Sequence, residues 1–400
     1  MPERTKVVIV GGGVAALEGA LALRAVAREA LEVELVAPEQ DFTYRPMLVA
    51  EPFGHGSVRT FPLQRLTEAA GASFREAIVT GVDAEERLVC TASSDTISYD
   101  ELLLAPGAVP VTAVPGALCF RGPAEARDLE RLLEDAERGR VDRIVFAVPA
   151  GAAWALPLYE LALLARARLV DEGSADVGVA VVTAEHSPLQ LFGTTGSDAV
   201  AELLEARGIA LFTDATPLRF QGGVLTTAPS GAVDADVAVA LPRLEGPRLR
   251  GVPQDSQGFI PTDGHCQVAG EVDVWAAGDA TTFPLKQGGI AAQQADAAAE
   301  SIAARAGAAV DPQPFRPVLR GLLLTGMVPR FLRAVPGTPA SAIDTEPLWW
   351  PPAKIVGRHL APFLAEHLGL AELLPDAARD AAIEVEIELT PQHHGVWSEV

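Results

Sequence analysis

The chain has 400 residues, of which 49% are hydrophobic and 21% charged, and its formal net charge is −22. This length and composition predict two or three folded domains and exclude a globally disordered protein. The large negative charge excludes broad nucleic-acid binding, because neutralising phosphates takes Lys and Arg.

The cysteines also restrict the chemistry. There are three of them, Cys90, Cys119 and Cys266, and no CxxC pair occurs. A zinc knuckle and a paired redox disulfide are therefore excluded, and we predict no metal site. A sparse set of thiols favours a reducing compartment. No run of about 18 apolar residues is present, so we expect a cytoplasmic protein without a transmembrane helix.

The first predicted elements form a strand, a glycine turn and a helix. A β-branched run ends at Val10, Gly11-Gly12-Gly13 follow, then an Ala/Leu helix and a second strand over residues 31–36. This is the context of a dinucleotide fingerprint. Gly11 would permit the tight turn, Gly13 the approach of phosphate, and Ala16 close helix–strand packing. The amides at the helix start would point at a pyrophosphate.

A carboxylate is expected just after the second strand, where it would hold ribose hydroxyls. Ala37 and Pro38 occupy the first positions after this strand. Glu39 follows and is the candidate, and the alternative is that it is a solvated loop residue.

Three motifs together resemble the two-dinucleotide-binding-domain flavoproteins, the pyridine nucleotide-disulfide-like oxidoreductases. Besides the glycine turn, these are a strand over residues 272–277 followed by Gly278-Asp279, and "ELLLAPGAVP" at residues 101–110. The resemblance covers about residues 5–305 and implies FAD as the cofactor. It places Asp279 on the ribityl chain. Ala105 and Gly107 match the family's Ala-Thr-Gly, with Pro106 in place of Thr.

The resemblance implies an α/β fold with two Rossmann-like domains, the second inserted in the first, and a C-terminal α+β region. We predict a split FAD-binding domain at 1–111 and 257–310 and an NAD(P)-binding-like domain at 112–256. The region 311–400 is predicted to be an acceptor, membrane-surface or dimer interface. Residues 383–389 alternate apolar residues with Glu, which predicts a one-sided strand.

The inserted domain has lost most of its glycine fingerprint. Its first strand is followed by "PAGAAW", residues 149–154, with a single glycine, Gly151. Pro149 removes one amide donor, and Trp154 brings a large ring to this turn. The turn resembles that of the sulfide:quinone reductases more than that of the type II NADH dehydrogenases, the two nearest groups. Whether NAD(P)H is used stays open, as does simple interface packing by Trp154.

Positive charge is expected at the flavin. The family places a helix N-terminus at the pyrimidine side of the ring, and here that helix starts at Gly288-Gly289 after Lys286-Gln287. Lys286 is one of only three lysines. The resemblance to sulfide:quinone reductases implies a Lys near flavin and quinone, so Lys286 is the catalytic candidate, with an exposed loop residue as the alternative.

A further segment, residues 41–54, resembles the one that wraps FAD in this family. Tyr44, Arg45 and Pro46 are its candidates for flavin or substrate contacts, and loop packing is the alternative. The complete predicted cofactor-binding set comprises Gly11, Gly13, Ala16, Pro38, Glu39, Arg45, Pro46, Val79, Ala105, Gly107, Gly278, Asp279, Lys286, Gln287 and Gly288.

The predicted function is an FAD-dependent oxidoreductase that passes two electrons from an unidentified small-molecule donor to a quinone-like acceptor. The cysteines do not form a chain of sulfur-carrying thiols, and Cys119 reads as an ordinary buried thiol. Two alternatives remain: an NAD(P)H-dependent flavoprotein reductase, and a non-catalytic flavin-binding redox sensor or assembly module.

The C-terminal part contains a basic segment. Residues 315–359 contain six basic residues, Arg316, Arg320, Arg330, Arg333, Lys354 and Arg358, against two acidic ones, and they include Trp349-Trp350. Trp beside Lys and Arg suits a membrane interface. We therefore predict peripheral docking on the inner face of a membrane, with packing on the FAD domain or a homodimer contact as the alternatives.

Overall fold

The structure is a computed structural model, and it describes residues 4–27 and 30–368. The predicted strand at 383–389 lies outside these residues.

The described part contains seven α-helices and 23 strands. The helices are α1 (Val14–Ala27), α2 (Leu63–Ala69), α3 (Pro123–Glu137), α4 (Leu156–Asp171), α5 (Gly193–Ala206), α6 (Gly288–Arg305) and α7 (Leu360–Leu368). The strands are β1 (Thr5–Val10), β2 (Leu31–Ala37), β3 (Asp41–Thr43), β4 (Thr60–Pro62), β5 (Ser73–Glu76), β6 (Val79–Asp83), β7 (Leu88–Thr91), β8 (Thr96–Ser98), β9 (Glu101–Leu104), β10 (Val109–Val111), β11 (Leu118–Cys119), β12 (Arg143–Val148), β13 (Gly178–Thr183), β14 (Ile209–Phe212), β15 (Thr216–Gln221), β16 (Val224–Ala228), β17 (Gly231–Asp234), β18 (Val237–Ala240), β19 (Arg243–Glu245), β20 (Val274–Ala276), β21 (Leu319–Leu323), β22 (Arg330–Ala334) and β23 (Ser341–Asp344).

The first sheet takes strands from both sides of the insert. Its order is β20-β9-β1-β2-β5, and all four pairings are parallel. The central strands are almost continuous apolar runs, as expected for a sheet covered on both faces. Helices α1 and α6 pack side by side on it. The carboxyl ends of β1, β9 and β20 therefore meet at one edge, where ligands bind in open α/β sheets.

The second sheet repeats this architecture within the insert. Its order is β11-β18-β12-β13-β14, again with parallel pairing throughout. Helix α4 is apolar on nearly all sides and is buried along most of its length. Helix α3 follows the predicted charged pattern, with Leu129 and Leu133 buried and its acidic and basic residues mostly outside.

A third sheet lies in the C-terminal part. Strands β21, β22 and β23 form an antiparallel meander, and α7 follows. The smaller sheets β6-β7-β8 and β15-β16-β17 are antiparallel as well, and β10 pairs with β19 where the chain enters and leaves the insert.

The two parallel sheets confirm the predicted α/β fold class with Rossmann-like units. The domain boundaries at residues 111 and 256 remain predictions. In the part of the chain that the structure describes, no helix combines the length and the apolar character needed to cross a bilayer.

Candidate functional site

Two glycines of the turn after β1, Gly11 and Gly13, differ in the space around their Cβ positions. Gly11 has φ +124°, and a Cβ built on it would lie 2.1 Å from the Ala105 carbonyl oxygen. A Cβ on Gly13 would meet no atom within 4 Å, and Gly13 is exposed. Gly11 is thus required by the fold itself, whereas the bare backbone at Gly13 leaves room for a ligand at the start of α1.

The second part of the site is Asp279, directly after β20. Its side chain is half-buried, and its carboxylate accepts no hydrogen bond from the other residues that the structure describes. Desolvation raises the pKa of this carboxyl, and Lys286 and Arg45 oppose the shift. A recessed carboxylate with open acceptor oxygens suits the hydroxyls of a ribityl chain.

Small residues bring these two parts together. A Cβ on Gly278, which has φ +78°, would lie 3.2 Å from Ala15 Cβ and 3.3 Å from Ala291 Cβ. Ala16, in the first turn of α1, is completely buried. Close packing of α1 against α6 therefore places the glycine turn, Asp279 and the start of α6 next to one another, and the region between these three parts is called the recess below.

The start of α6 forms the third side of this recess. Gln287 caps the helix, because its Oε1 accepts from the Ile290 backbone N–H at 2.9 Å. Its Nε2 donates to the Arg320 carbonyl at 2.6 Å, so the side chain serves the fold. The amides of the first helical turn, from Gly288 onward, have no intrahelical carbonyl to bind and carry the positive end of the helix dipole. Ile355 packs 3.4 Å from the Cβ position of Gly288.

Lys286 is buried in this recess, so the alternative of an exposed loop residue is wrong. Its Nζ donates to the Thr281 carbonyl and lies 4.2 Å from the centroid of the Phe259 ring. Burial lowers the pKa of Lys286 to about 8, although Asp279 and Asp255 favour the charged form. The ammonium group is therefore charged near neutral pH and loses its proton within the range of mild alkali.

We expect Lys286→Met to lower the midpoint potential of bound flavin near pH 7, since a positive charge that favours the anionic reduced ring is removed. A loss of about 1.4 kcal/mol corresponds to roughly 30 mV for a two-electron couple. The difference should narrow as pH rises through about 8, where Lys286 becomes neutral. Reductive dye titrations near pH 7 and pH 9 measure both effects.

Lys6→Met is the matched control, because Lys6 pairs with Glu34 at 3.2 Å on the first sheet. Equal potentials for wild type and Lys286→Met at both pH values would place Lys286 outside the electrostatic field of the flavin.

The remaining predicted residues lie around the recess or beyond it. Pro38 and Glu39 are exposed after β2, and Val79 is half-buried at the start of β6. Ala105 is buried, and Gly107 has φ +76° with open space at its Cβ position. Arg45 and Pro46 open a short 3-10 helix, with Arg45 exposed. Their roles in cofactor binding stay predictions.

Tyr44 has a structural role. It is almost fully buried, and its hydroxyl accepts from the Ile355 backbone N–H at 3.2 Å. This contact holds the C-terminal segment against the predicted FAD-wrapping segment, which matches the loop-packing alternative.

In the corresponding part of the insert, Gly151 of the turn is exposed and a Cβ on it would meet no atom within 4 Å, whereas the start of α4 is covered by protein. A Cβ on Gly321 of β21 would lie 2.6 Å from Leu156 Cδ1 and 2.8 Å from Phe192 Cζ. The C-terminal sheet therefore lies directly against the start of α4. Trp154 packs edge-on against Phe192 with ring centroids 5.8 Å apart, as the packing alternative for Trp154 expects. The backbone N–H of Lys286 donates to the Ala153 carbonyl at 3.4 Å.

One residue of the insert, Glu185, favours a dinucleotide site there. Glu185 follows β13, the position of a ribose-binding carboxylate in dinucleotide folds. Its Oε2 accepts from the Tyr159 hydroxyl at 2.7 Å and from the Thr183 hydroxyl at 3.1 Å. Desolvation raises the pKa of Glu185. One of its oxygens is thus already engaged by the protein.

A buried ion pair joins three parts of the chain, and sequence reasoning missed it. Lys354 Nζ lies 2.6 and 2.8 Å from the two carboxylate oxygens of Glu160, which is completely buried on α4. Lys354 also donates to the Pro46 carbonyl at 3.3 Å, and the Leu324 backbone N–H donates to Glu160 at 2.9 Å. Burial raises the pKa of Glu160 and lowers that of Lys354. A glutamate within the apolar helix "LPLYELALL" was the available signal.

Two of the six basic residues in the C-terminal segment form ion pairs within the chain. Lys354 pairs with Glu160, and Arg358 lies 3.4 Å from Glu300. Trp349 is half-buried, packs on Phe331 at 5.1 Å and donates from Nε1 to the Ala353 carbonyl. Trp349 is therefore only partly accessible, whereas Trp350 is 51% exposed.

The cysteines also take ordinary positions. Cys119 is half-buried in β11, Cys90 is half-buried in β7, and Cys266 is buried. Cys266 lies in a turn with φ +63°. Burial raises the pKa of Cys266 to about 12, and desolvation also raises that of Cys119. Among the residues that the structure describes, no group of three metal-ligating side chains converges.

The residues of the recess fit FAD. Gly13 leaves space at a helix N-terminus for a pyrophosphate, and Asp279 offers carboxylate oxygens to sugar hydroxyls. The start of α6 and Lys286 supply positive potential at a third point. When bound, FAD would supply two-electron redox chemistry, and the chain would bind, orient and tune it.

Comparisons with known proteins identify the family and the fold. The sequence model of the family described as pyridine nucleotide-disulphide oxidoreductase matches residues 5–300. Mouse apoptosis-inducing factor 3 is 31% identical over 243 residues, which are 57% of this chain and 36% of that protein. The chain thus spans only about a third of the length of that relative.

Two further comparisons cover more of both chains. Demethylphylloquinone reductase NdbB of Synechocystis sp. is 25% identical over 297 residues, 69% of this chain and 72% of that protein. The structure of the sulfide:quinone oxidoreductase from Aquifex aeolicus superposes with a TM-score of 0.77 at 18% identity, covering 99% of this chain and 96% of that one. At this identity the structural likeness shows the fold alone.

Proposed function

The chain belongs to the pyridine nucleotide-disulphide oxidoreductase family, a family of FAD-dependent oxidoreductases, and from this premise we propose that it passes two electrons from a small-molecule donor through FAD to a quinone-like acceptor. The observation that carries the proposal is the single recess formed by Gly13, Asp279 and the start of α6. Buried Lys286 beside Asp279 supports a reactive flavin, because its charge favours the reduced ring.

A quinone-like acceptor is supported by two comparisons and one surface. The names of NdbB and of the Aquifex aeolicus protein state that they act on quinones. Here Trp350, Met327 and Val328 are 51%, 61% and 54% exposed. Met327 and Val328 form the β21–β22 turn, and Trp350 follows Trp349, which packs on Phe331 near that turn.

We expect this apolar end, together with exposed Arg316 and half-buried Arg330, to dock on anionic membranes from the cytoplasmic side. The protein should co-sediment with anionic vesicles at low salt and less at high salt. Trp350→Ala should weaken binding, whereas Phe212→Ala, which removes an exposed ring from the insert, should not. Absence of binding at low salt would reject docking, and the surface would then suit a homodimer contact.

NAD(P)H is not expected to be the efficient donor. The turn before α4 has a single glycine, Gly151, which is exposed and has open space at its Cβ position. Pro149 removes an amide donor from this turn, and β21 covers Leu156 at the start of the helix. Anaerobic stopped-flow mixing with NADH or NADPH should reduce the flavin far more slowly than the roughly 10 per second that is typical of enzyme turnover. Reduction at tens per second with micromolar NADH would instead make the chain an NADH dehydrogenase.

A second candidate, an NAD(P)H-dependent reductase, rests on Glu185 after β13. A third, a flavin-binding redox sensor or assembly module, would hold FAD without rapid turnover. A panel of donors, including sulfide, thiols and both nicotinamide nucleotides, with menadione as the acceptor separates the three. Turnover with a donor other than NAD(P)H supports the proposal, turnover with NAD(P)H supports the second candidate, and a yellow protein that turns over with none supports the third.

A further inference from the structure

A cavity of about 600 Å³ lies between the loop that leads into α5 and the turn that joins β22 to β23. Gln190, Leu191 and Thr194 belong to the first wall, and Val335 and Ser341 to the second. The two walls approach each other at Gly193, where a Cβ would lie 3.2 Å from Ser341 Oγ. The recess described above does not include these residues.

The inner end of this cavity reaches the segment that precedes α6. It is lined by Leu319 of β21 and by Leu285, the residue before buried Lys286. Phe192 lies in the first wall between the lining residues Leu191 and Gly193, and its ring packs on Trp154. The cavity therefore leads from the surface to the segment that carries Lys286.

The lining contains no charged residue, although 21% of the chain is charged. Eight of the fifteen lining residues are Leu, Val, Ala or Pro, and Thr194, Thr195, Thr338 and Ser341 supply hydroxyl groups. Leu319 and Ala334 are the buried members of the lining, and an ion placed against them would lose hydration without meeting an opposite charge. An uncharged ring with hydrogen-bond-accepting oxygens would bury its ring and could accept from the hydroxyls.

We propose that this cavity binds an uncharged, carbonyl-bearing ring compound of the quinone class, and that it is the site through which this substrate reaches the flavin. The proposal rests on the proposed function, and it adds where the acceptor binds and that the acceptor is uncharged. It concerns binding of the oxidised quinone, so it can be tested apart from electron transfer.

The test measures equilibrium binding of menadione to the oxidised, FAD-loaded protein by calorimetry. Ala340→Trp places a ring at an exposed lining position, and Ala232→Trp makes the same change at an exposed position on β17. We expect Ala340→Trp to raise the Kd by ~10-fold or more and Ala232→Trp to leave it unchanged. Thr195→Val, which removes one hydroxyl at nearly constant volume, should raise it by a few-fold.

A sulfonated naphthoquinone of the same ring size is the matched ligand. We expect it to bind at least ~10-fold more weakly than menadione, because the lining offers no cation. Menadione affinity that is equal in wild type and Ala340→Trp, or sulfonate binding as tight as menadione binding, would overturn the proposal.

The outcome is separable from that of the proposed function. If Ala340→Trp abolishes menadione binding but reduced wild-type flavin never reduces the quinone, the proposed function fails and the cavity assignment stands. If Ala340→Trp reduces menadione at the wild-type rate with unchanged KM, the cavity assignment fails and the proposed function stands.

Discussion

Gly13→Val is expected to give a folded, colourless protein. No atom lies within 4 Å of the Cβ position of Gly13, so the chain itself accommodates a side chain there. A branched side chain at this point would instead block the approach of the FAD pyrophosphate to the start of α1. We expect FAD affinity to fall by at least ~100-fold, about 2.8 kcal/mol. Flavin absorbance after purification and titration with added FAD measure the loss.

Two further glycine variants make this test specific. Gly178→Val changes an exposed glycine at the start of β13 whose nearest contact would be 3.5 Å, and it should retain FAD. Gly11→Ala should fail differently, because its side chain would meet the Ala105 carbonyl at 2.1 Å with φ at +124°. We expect it to destabilise the fold by about 3 kcal/mol or more. A yellow Gly13→Val protein with wild-type FAD content would show that the pyrophosphate does not lie at this turn.

Breaking the buried Glu160–Lys354 pair is expected to have the largest effect on stability. Lys354→Met leaves the completely buried Glu160 without its cation, and Glu160→Gln leaves the lysine without its anion. Loss of one partner of a buried pair typically costs about 3–5 kcal/mol. Denaturant unfolding in the presence of saturating FAD, monitored by circular dichroism, measures the free energy of unfolding.

The control is an exposed pair on α3, where Arg138 lies 3.0 Å from Glu134. Glu134→Gln should cost less than about 1 kcal/mol, as exposed pairs do. The double variant Glu160→Leu/Lys354→Met should regain much of the lost stability, because neither buried charge remains. If the single variants unfold like wild type, the pair does not hold α4 and the C-terminal segment together.

The sequence predicts those parts of the site whose chemistry is local. Gly11, Gly13 and Ala16 lie within six positions, and Gly278-Asp279 closely follows its strand. The local structure of each motif is therefore set by residues that are close together in the sequence. The α/β fold follows for the same reason, since apolar strands and helices alternate along the chain. The start of α6 at Gly288 is likewise fixed by neighbouring residues, with Gln287 as its cap.

Contacts made across the fold were not predictable in this way. Glu160 and Lys354 are 194 positions apart, and nothing in either neighbourhood specifies the other. Leu156 meets Gly321 only because the C-terminal sheet packs on α4. The position of the Lys286 side chain depends on its contacts with Phe259 and the Thr281 carbonyl, and the residues next to Lys286 in the sequence do not specify the Phe259 contact. Trp349 and Trp350 also differ in exposure because of a contact across the fold, since Phe331 packs on Trp349.

Quinone reduction is tested most directly by the oxidative half-reaction, because this experiment does not require the electron donor to be known. The purified protein is reduced anaerobically with dithionite to the end of its flavin bleaching and is then mixed with one equivalent of menadione. We predict complete return of the oxidised flavin spectrum within one turnover time, on the order of 0.1 s. Flavin that stays reduced for minutes in the presence of menadione, yet is reoxidised by air, would contradict a quinone-reducing function.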